Sequence, residues 1–122
     1  MTDAGLSPDE ITHVNAHGTS TQLNDATEAA AVAAVFGATR PAVTSIKGVT
    51  GHAFGAAGAI EAVALALSFR YGELPPTMGV EHVDPACDID VVLEPRPWTP
   101  GPALSNSFAF GGHNGTVVLV PA

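Results

Sequence analysis

The alternation of apolar and polar positions divides the chain into two similar units and a different third part. Residues 11–16 alternate with a period of two and predict a strand, which ends in the small-polar loop His17-Gly-Thr-Ser-Thr21. Asn24 or Asp25 is placed to cap a helix that runs to about Phe36, where Gly37 closes it. After the connector Arg40-Pro41 the plan repeats. Residues 43–46 are largely β-branched and residues 56–69 carry almost no polar side chain, so a strand enters a buried helix through a Gly-rich connection. Residues 72–100 are proline-rich and predict a surface-running segment, broken by a short strand at 89–93 that the prolines confine to the edge or end of a sheet. Two apolar β runs, 103–110 and 115–120, then flank Phe110-Gly-Gly-His-Asn114, which permits a tight hairpin. At the other end, Thr2-Asp-Ala-Gly5-Leu-Ser-Pro8 predicts the last turn of a helix with Gly5 as its C-cap, so a preceding segment is expected.

Strands alternating with helices predict a layered α/β domain with mainly parallel pairing and right-handed crossovers. The 122 residues suffice for one core, so 1–122 is expected to be a single domain or a piece of one. Only 13% of residues are charged against 46% hydrophobic, which predicts that something else covers part of the surface. Arg40, Lys47, Arg70 and Arg96 face twelve acidic residues, and the net charge of −8 argues against nucleic acid or an anionic membrane surface as partner. Glu61 interrupts the longest apolar run short of the roughly 18 residues of a membrane span. No signal-peptide pattern follows Met1, so a cytoplasmic location is the default. Cys87 stands alone, which excludes an internal disulfide and suits a reducing compartment.

Candidate chemistry gathers at the strand ends. His17 ends one strand and His52 follows the next, so a parallel sheet brings both to the same carboxyl edge with Lys47 between them. Neutral imidazoles donate hydrogen bonds to an oxygen that becomes negative, and a buried ammonium biases nearby protonation states, so the trio suits enolate or oxyanion stabilisation. The plainer alternative for each histidine is satisfaction of backbone groups at a strand end. Glu61, inside an apolar helix, needs a partner if buried, and Lys47 is the obvious one; otherwise the helix turns Glu61 to water. Asp25 and Glu28 read as capping and first-turn charges. A shared metal is not expected, because His13 and His17 lie about 13 Å apart along a strand. Cys87 has neighbouring carboxylates that would raise its pKa and is a poor nucleophile. No Gly-x-Ser-x-Gly elbow is present, and Thr19-Ser20-Thr21 lacks the signature of an activated hydroxyl. Phe108 and Phe110, two apart on a strand, share a face and form core or line a hydrophobic tunnel.

Three motifs, Val14-Asn-Ala-His-Gly-Thr-Ser-Thr21, Ser45-Ile-Lys-Gly-Val-Thr-Gly-His52 and Asn106-Ser-Phe-Ala-Phe-Gly-Gly-His-Asn114, resemble the β-ketoacyl-[acyl-carrier-protein] synthases of the elongating, His-His type in the thiolase superfamily. The resemblance runs in order over almost the whole chain and implies the C-terminal half of the duplicated thiolase-like fold, a layered α/β domain with a five-stranded mixed sheet. It implies that His17 and His52 are the active-site histidines assisting malonyl decarboxylation and holding the enolate oxygen, and that Lys47 is the active-site lysine paired with Glu61. Thr19 and Thr21 correspond to hydroxyls meeting a phosphopantetheine arm, and Phe110 to a gating aromatic whose amide helps form the oxyanion hole. The implied partners are acyl carrier protein, a Cys-bearing N-terminal half and, for the intact enzyme, a second copy in a homodimer. No cofactor beyond the carrier's phosphopantetheine and no metal is implied. Ala109 replaces the glycine usual between the two phenylalanines, and His113 stands where many members have Thr. The chain lacks the family's nucleophilic cysteine, so the isolated half is expected to be inactive; the alternative is a non-catalytic half-domain that pairs with a separately encoded Cys-bearing half. Thiolase-type transfer from coenzyme A would need a reactive cysteine in the last Gly-rich loop, where the sequence has none.

Overall fold

The computed structural model describes all residues 1–122. Ten regular elements follow in chain order: β1 His13–Asn15, α1 Gln22–Phe36, β2 Ala42–Thr44, α2 Lys47–Thr50, α3 Ala57–Tyr71, β3 Glu73–Leu74, β4 Asp90–Val91, β5 Arg96–Pro97, β6 Ala103–Ala109 and β7 His113–Leu119. The main sheet has five strands in the order β4-β2-β1-β6-β7. β1 pairs in parallel with β2 and β6, β2 in parallel with β4, and β6 antiparallel with β7. This is the expected five-stranded mixed sheet, with the strand near residue 90 at its edge.

Register explains the layering. Val14 lies opposite Val43 and Leu104, and these side chains meet Val32 and Phe36 of α1 in one apolar cluster with Ile11 and Ala16. The alternate residues of the same strands are polar: His13, Asn15, Thr44 and Ser105 are all buried. Strands covered on both faces normally read as continuous apolar runs, so the polar face marks a layer with a purpose beyond packing. α3 lies on that side, where Phe69 stacks on Trp98 and Trp98 meets His13 edge-on at 5.5 Å. Lys47 and Glu61 also bury their charges there.

Several expectations are corrected. The cap of α1 is Thr21, neither Asn24 nor Asp25: Thr21 is extended at φ −107°, and its hydroxyl accepts the Asn24 N–H at 3.2 Å. Asp25 accepts from Ser20 N–H instead. Within the Gly-rich connection, Lys47–Thr50 forms one helical turn. Gly48 is needed there, since a Cβ would lie 2.0 Å from the Met78 carbonyl oxygen as the proline-rich segment crosses it. The sequence does not predict the two-stranded ribbon of β3 and β5, because two-residue strands carry no periodic signal. α3 is not buried all round: Ala57, Glu61, Leu65 and Ser68 face inward, while Ile60, Val63, Leu67 and Tyr71 form an exposed apolar stripe. Nor does Glu61 shorten the apolar run as expected, because Phe54–Tyr71 spans 18 residues at mean hydropathy 1.2, enough by length and composition to cross a membrane. Its buried ion pair, however, belongs to the domain's own packing. Finally, Phe110 does not share a strand face with Phe108, for β6 ends at Ala109 and Phe110 stands fully exposed in the Phe110–Gly112 turn.

Candidate active site

β1 delivers His17 to the carboxyl edge of the sheet, and the loop behind it is held by a residue read from sequence as a first-turn charge. Glu28 is only 4% exposed. Its carboxylate accepts the N–H groups of His17 and Gly18, both at 2.9 Å, and the side-chain amides of Asn106 at 3.1 Å and Asn24 at 3.4 Å. A buried carboxylate with four donors is satisfied and fixes the His17 backbone against both α1 and β6. A sequence signal existed: Glu28, Val32 and Phe36 are spaced by four, on the inward stripe of α1. From the other side, Ser45 donates its hydroxyl to the Gly18 carbonyl at 3.0 Å. Gly18 has φ +44° and no room for a Cβ, which would lie 2.5 Å from that of Ser45.

The structure brings His17 and His52 together, with ring centroids 5.3 Å apart and planes at 84°. Phe108 approaches His17 at 5.6 Å. Burial first, then the Lys47 ammonium, pushes the His17 pKa below its ordinary value, with Glu28 and Glu61 opposing, so His17 is a neutral imidazole at pH 7. His17 Nδ1 is buried without a hydrogen-bond partner. His52 is solvent-exposed and its Nδ1 accepts the Phe54 main-chain N–H at 3.3 Å. That bond puts the proton of neutral His52 on Nε2.

Lys47 and Glu61 form a buried ion pair, at 8% and 2% exposure, which excludes the reading that α3 turns Glu61 to water. One Glu61 oxygen takes Lys47 Nζ; the other, Oε2, has no partner. Thr19 and Thr21 lie together, hydroxyl to hydroxyl at 3.2 Å, with Thr21 also capping α1. Phe110, at the exposed hairpin tip, is not brought against the histidine rings; Phe108 occupies that place. His13 takes no part at this edge. It is buried against Thr44, bonded at 2.9 Å, and burial lowers its pKa to about 4. Cys87 is displaced upward as expected, with burial the first cause and Asp84 the second.

Two imidazoles edge to face, beside a buried ammonium and carboxylate, form an arrangement suited to negative charge on oxygen. The fold and this edge define a thiolase-like ketosynthase half. Residues 1–81 match the family described as beta-ketoacyl synthase, C-terminal domain, and the chain belongs to that family. It is 47% identical over 112 residues to 3-oxoacyl-[acyl-carrier-protein] synthase 2 of Mycobacterium bovis, covering 91% of this chain and 27% of that protein. To the synthase of the same name from Coxiella burnetii it is 47% identical, covering 98% of this chain and 30% of the relative. Among solved structures, the ishigamide ketosynthase/chain length factor superposes with a TM-score of 0.94 at 37% identity, covering 99% of this chain and 30% of that one. AntDE:AntF, a type II PKS acyl-carrier protein in complex with its ketosynthase, does so with 0.94 at 35%, again covering 99% and 30%. The chain therefore spans under a third of the length of the relatives it matches.

Proposed function

We propose that this chain supplies the histidine and lysine side of a decarboxylating condensation site in a β-ketoacyl-[acyl-carrier-protein] synthase serving fatty acid or polyketide synthesis. The observation that carries this reading is the His17–His52 pair beside the buried Lys47–Glu61 pair. The nucleophile is a cysteine from a separate, N-terminal half, which holds the growing acyl group as a thioester. Malonyl carrier protein loses carbon dioxide, and the electron pair of the breaking C–C bond forms an enolate whose oxygen accepts hydrogen bonds from the imidazoles of His17 and His52. The enolate carbon attacks the acyl thioester carbonyl, a new C–C bond forms, and the cysteine leaves as thiolate. Held neutral, His17 keeps one ring N–H to donate to that oxygen. Lys47 and Glu61 keep the electrostatic background constant. Thr19 and Thr21 meet the phosphopantetheine arm, Phe110 stands free at the hairpin tip to gate entry, and acyl carrier protein is the docking partner. The intact enzyme is a cytoplasmic homodimer, and no cofactor beyond the carrier's arm belongs to this reading.

The test is ketoacyl formation from acyl and malonyl carrier protein. The chain alone is expected to show no turnover above background, since nucleophile and oxyanion donors must share one site. Combined with its Cys-bearing half it regains turnover, and His17→Ala or His52→Ala then lowers malonyl decarboxylation roughly 100-fold or more. Condensation by the isolated chain, or wild-type decarboxylation in both variants, refutes the assignment. The exposed apolar stripe of α3 favours a second reading, a half-domain whose role is to complete a separately encoded partner. Stoichiometric co-purification with a Cys-bearing chain, without loss of activity in the histidine variants, distinguishes it.

A further inference from the structure

The hydrogen-bonded ladder between β1 and β2 ends where the Ala16 N–H donates to the Thr44 carbonyl at 2.8 Å. Beyond that rung the chains part: one leads into the His17–Gly18 loop, the other into the Lys47–Thr50 turn and on to His52. Ser45 stands at the fork and is only 7% exposed. Its hydroxyl donates to the Gly18 carbonyl at 3.0 Å and receives the Lys47 N–H at 3.4 Å, so one oxygen reaches both branches. Its own N–H, free of the ladder, goes to the Thr77 hydroxyl at 3.1 Å. Glu28 ties the far side of the loop to α1 and β6, yet none of its partners lies on the branch that carries Lys47 and His52. Nδ1 of the His17 ring is buried without a partner, so the aim of the imidazole follows from its backbone and its packing.

We propose that Ser45 is a positioning residue that sets the gap between the His17 loop and the Lys47–His52 branch, and with it the edge-to-face approach of the two imidazoles. The close fit supports this: Gly18, at φ +44°, lies so near Ser45 that a Cβ there would fall 2.6 Å from the hydroxyl oxygen, which leaves the two segments no slack where they pass. Without the hydroxyl, the Gly18 carbonyl loses its partner on the β2 side and the loop is held by Glu28 alone. The proposal rests on the condensation reading only for why the gap matters, since misplacement by about 1 Å costs roughly 100-fold in rate. The clip itself needs no substrate.

The measurement is the nuclear Overhauser contact between the ring protons of His17 and His52, in histidine-labelled chain assembled with its Cys-bearing half, alongside malonyl decarboxylation. The native sequence is expected to show that contact, with ring centroids 5.3 Å apart. In Ser45→Ala the contact weakens, and kcat for decarboxylation falls roughly 10- to 100-fold with KM unchanged. Ser45→Thr keeps the hydroxyl and restores both readouts. Thr77→Val removes the other hydrogen bond of Ser45 without touching the clip; it lowers thermal stability and leaves the ring contact and kcat native. Should Ser45→Ala not fold, Ser45→Cys, whose thiol is a weak donor, carries the same two readouts. A native ring contact in the folded variant, a weakened one that Ser45→Thr does not restore, or the same weakening in Thr77→Val overturns the proposal. A contact that weakens and recovers as stated, in an assembly that never condenses, leaves the positioning role standing and removes the ketosynthase reading.

Discussion

At the residue scale the electrostatics turn on two buried groups on the polar face of the sheet. Lys47 and Glu61 neutralise each other out of water, so removing one leaves the other's charge unpaired. Glu61→Gln is expected to lower stability in urea denaturation by about 3–5 kcal/mol, because desolvation of the ammonium is no longer offset. The double replacement Lys47→Met with Glu61→Leu is expected to be close to neutral for folding while abolishing activity. If the single and double variants are equally destabilised, the pair is not a folding element. His13 gives a pH signature of opposite kind. Its pKa is lowered by burial to about 4 from 6.5, so the unfolded chain binds its proton more readily than the folded one. The stability held by neutral His13 is therefore complete above about pH 6.5 and is lost as pH falls toward 4, by up to about 3 kcal/mol. Urea midpoints at pH 7 and 4.5 should differ less in His13→Gln than in the native sequence; an equal difference would assign the acid loss to other groups.

Among the elements, α3 carries the surface that bears on the proposed partner half. Its inward positions Ala57, Glu61, Leu65 and Ser68 recur at spacings of four and three, the stripe of a helix that packs on one side only. A neighbouring stripe, Ile60, Val63, Leu67 and Tyr71, is apolar and open to solvent. Gly58 and Ala62 of the same helix line a groove of about 260 Å³ against Ser105, Ser107 and Gly115 of the β6–β7 hairpin, where small residues let a second backbone approach. Val63→Lys with Leu67→Lys is expected to leave the chain soluble and folded but to weaken capture of a Cys-bearing half more than tenfold, read by titrated co-purification. Leu23→Lys, at an exposed apolar position on α1, is the control and should leave capture unchanged. Capture that survives both lysines would place the partner elsewhere.

For the whole molecule, periodicity was enough to locate the strand, loop and helix units and the terminal hairpin, because each rests on residues near one another in the chain. It also placed His17, Lys47 and His52 at one edge, since parallel strands bring their carboxyl ends together whatever their length. Short elements escaped: the single turn Lys47–Thr50 and the β3–β5 ribbon are stabilised by segments crossing from elsewhere rather than by their own propensity. Phe110 was misplaced for a related reason, as the hairpin turns one residue before the alternation would carry it to the face of Phe108. By itself the sequence determined which chemical groups stand at which turn of the chain, through spacing, capping and the motifs that carry the family resemblance. Only the tertiary structure decided which of them meet. Glu28 becomes the anchor of the His17 loop and is joined there by Asn106, 78 residues away, and Phe108 becomes the neighbour of the His17 ring. Local preferences act over a few residues, whereas burial of a charge and the aim of a donor depend on surfaces assembled from distant ones.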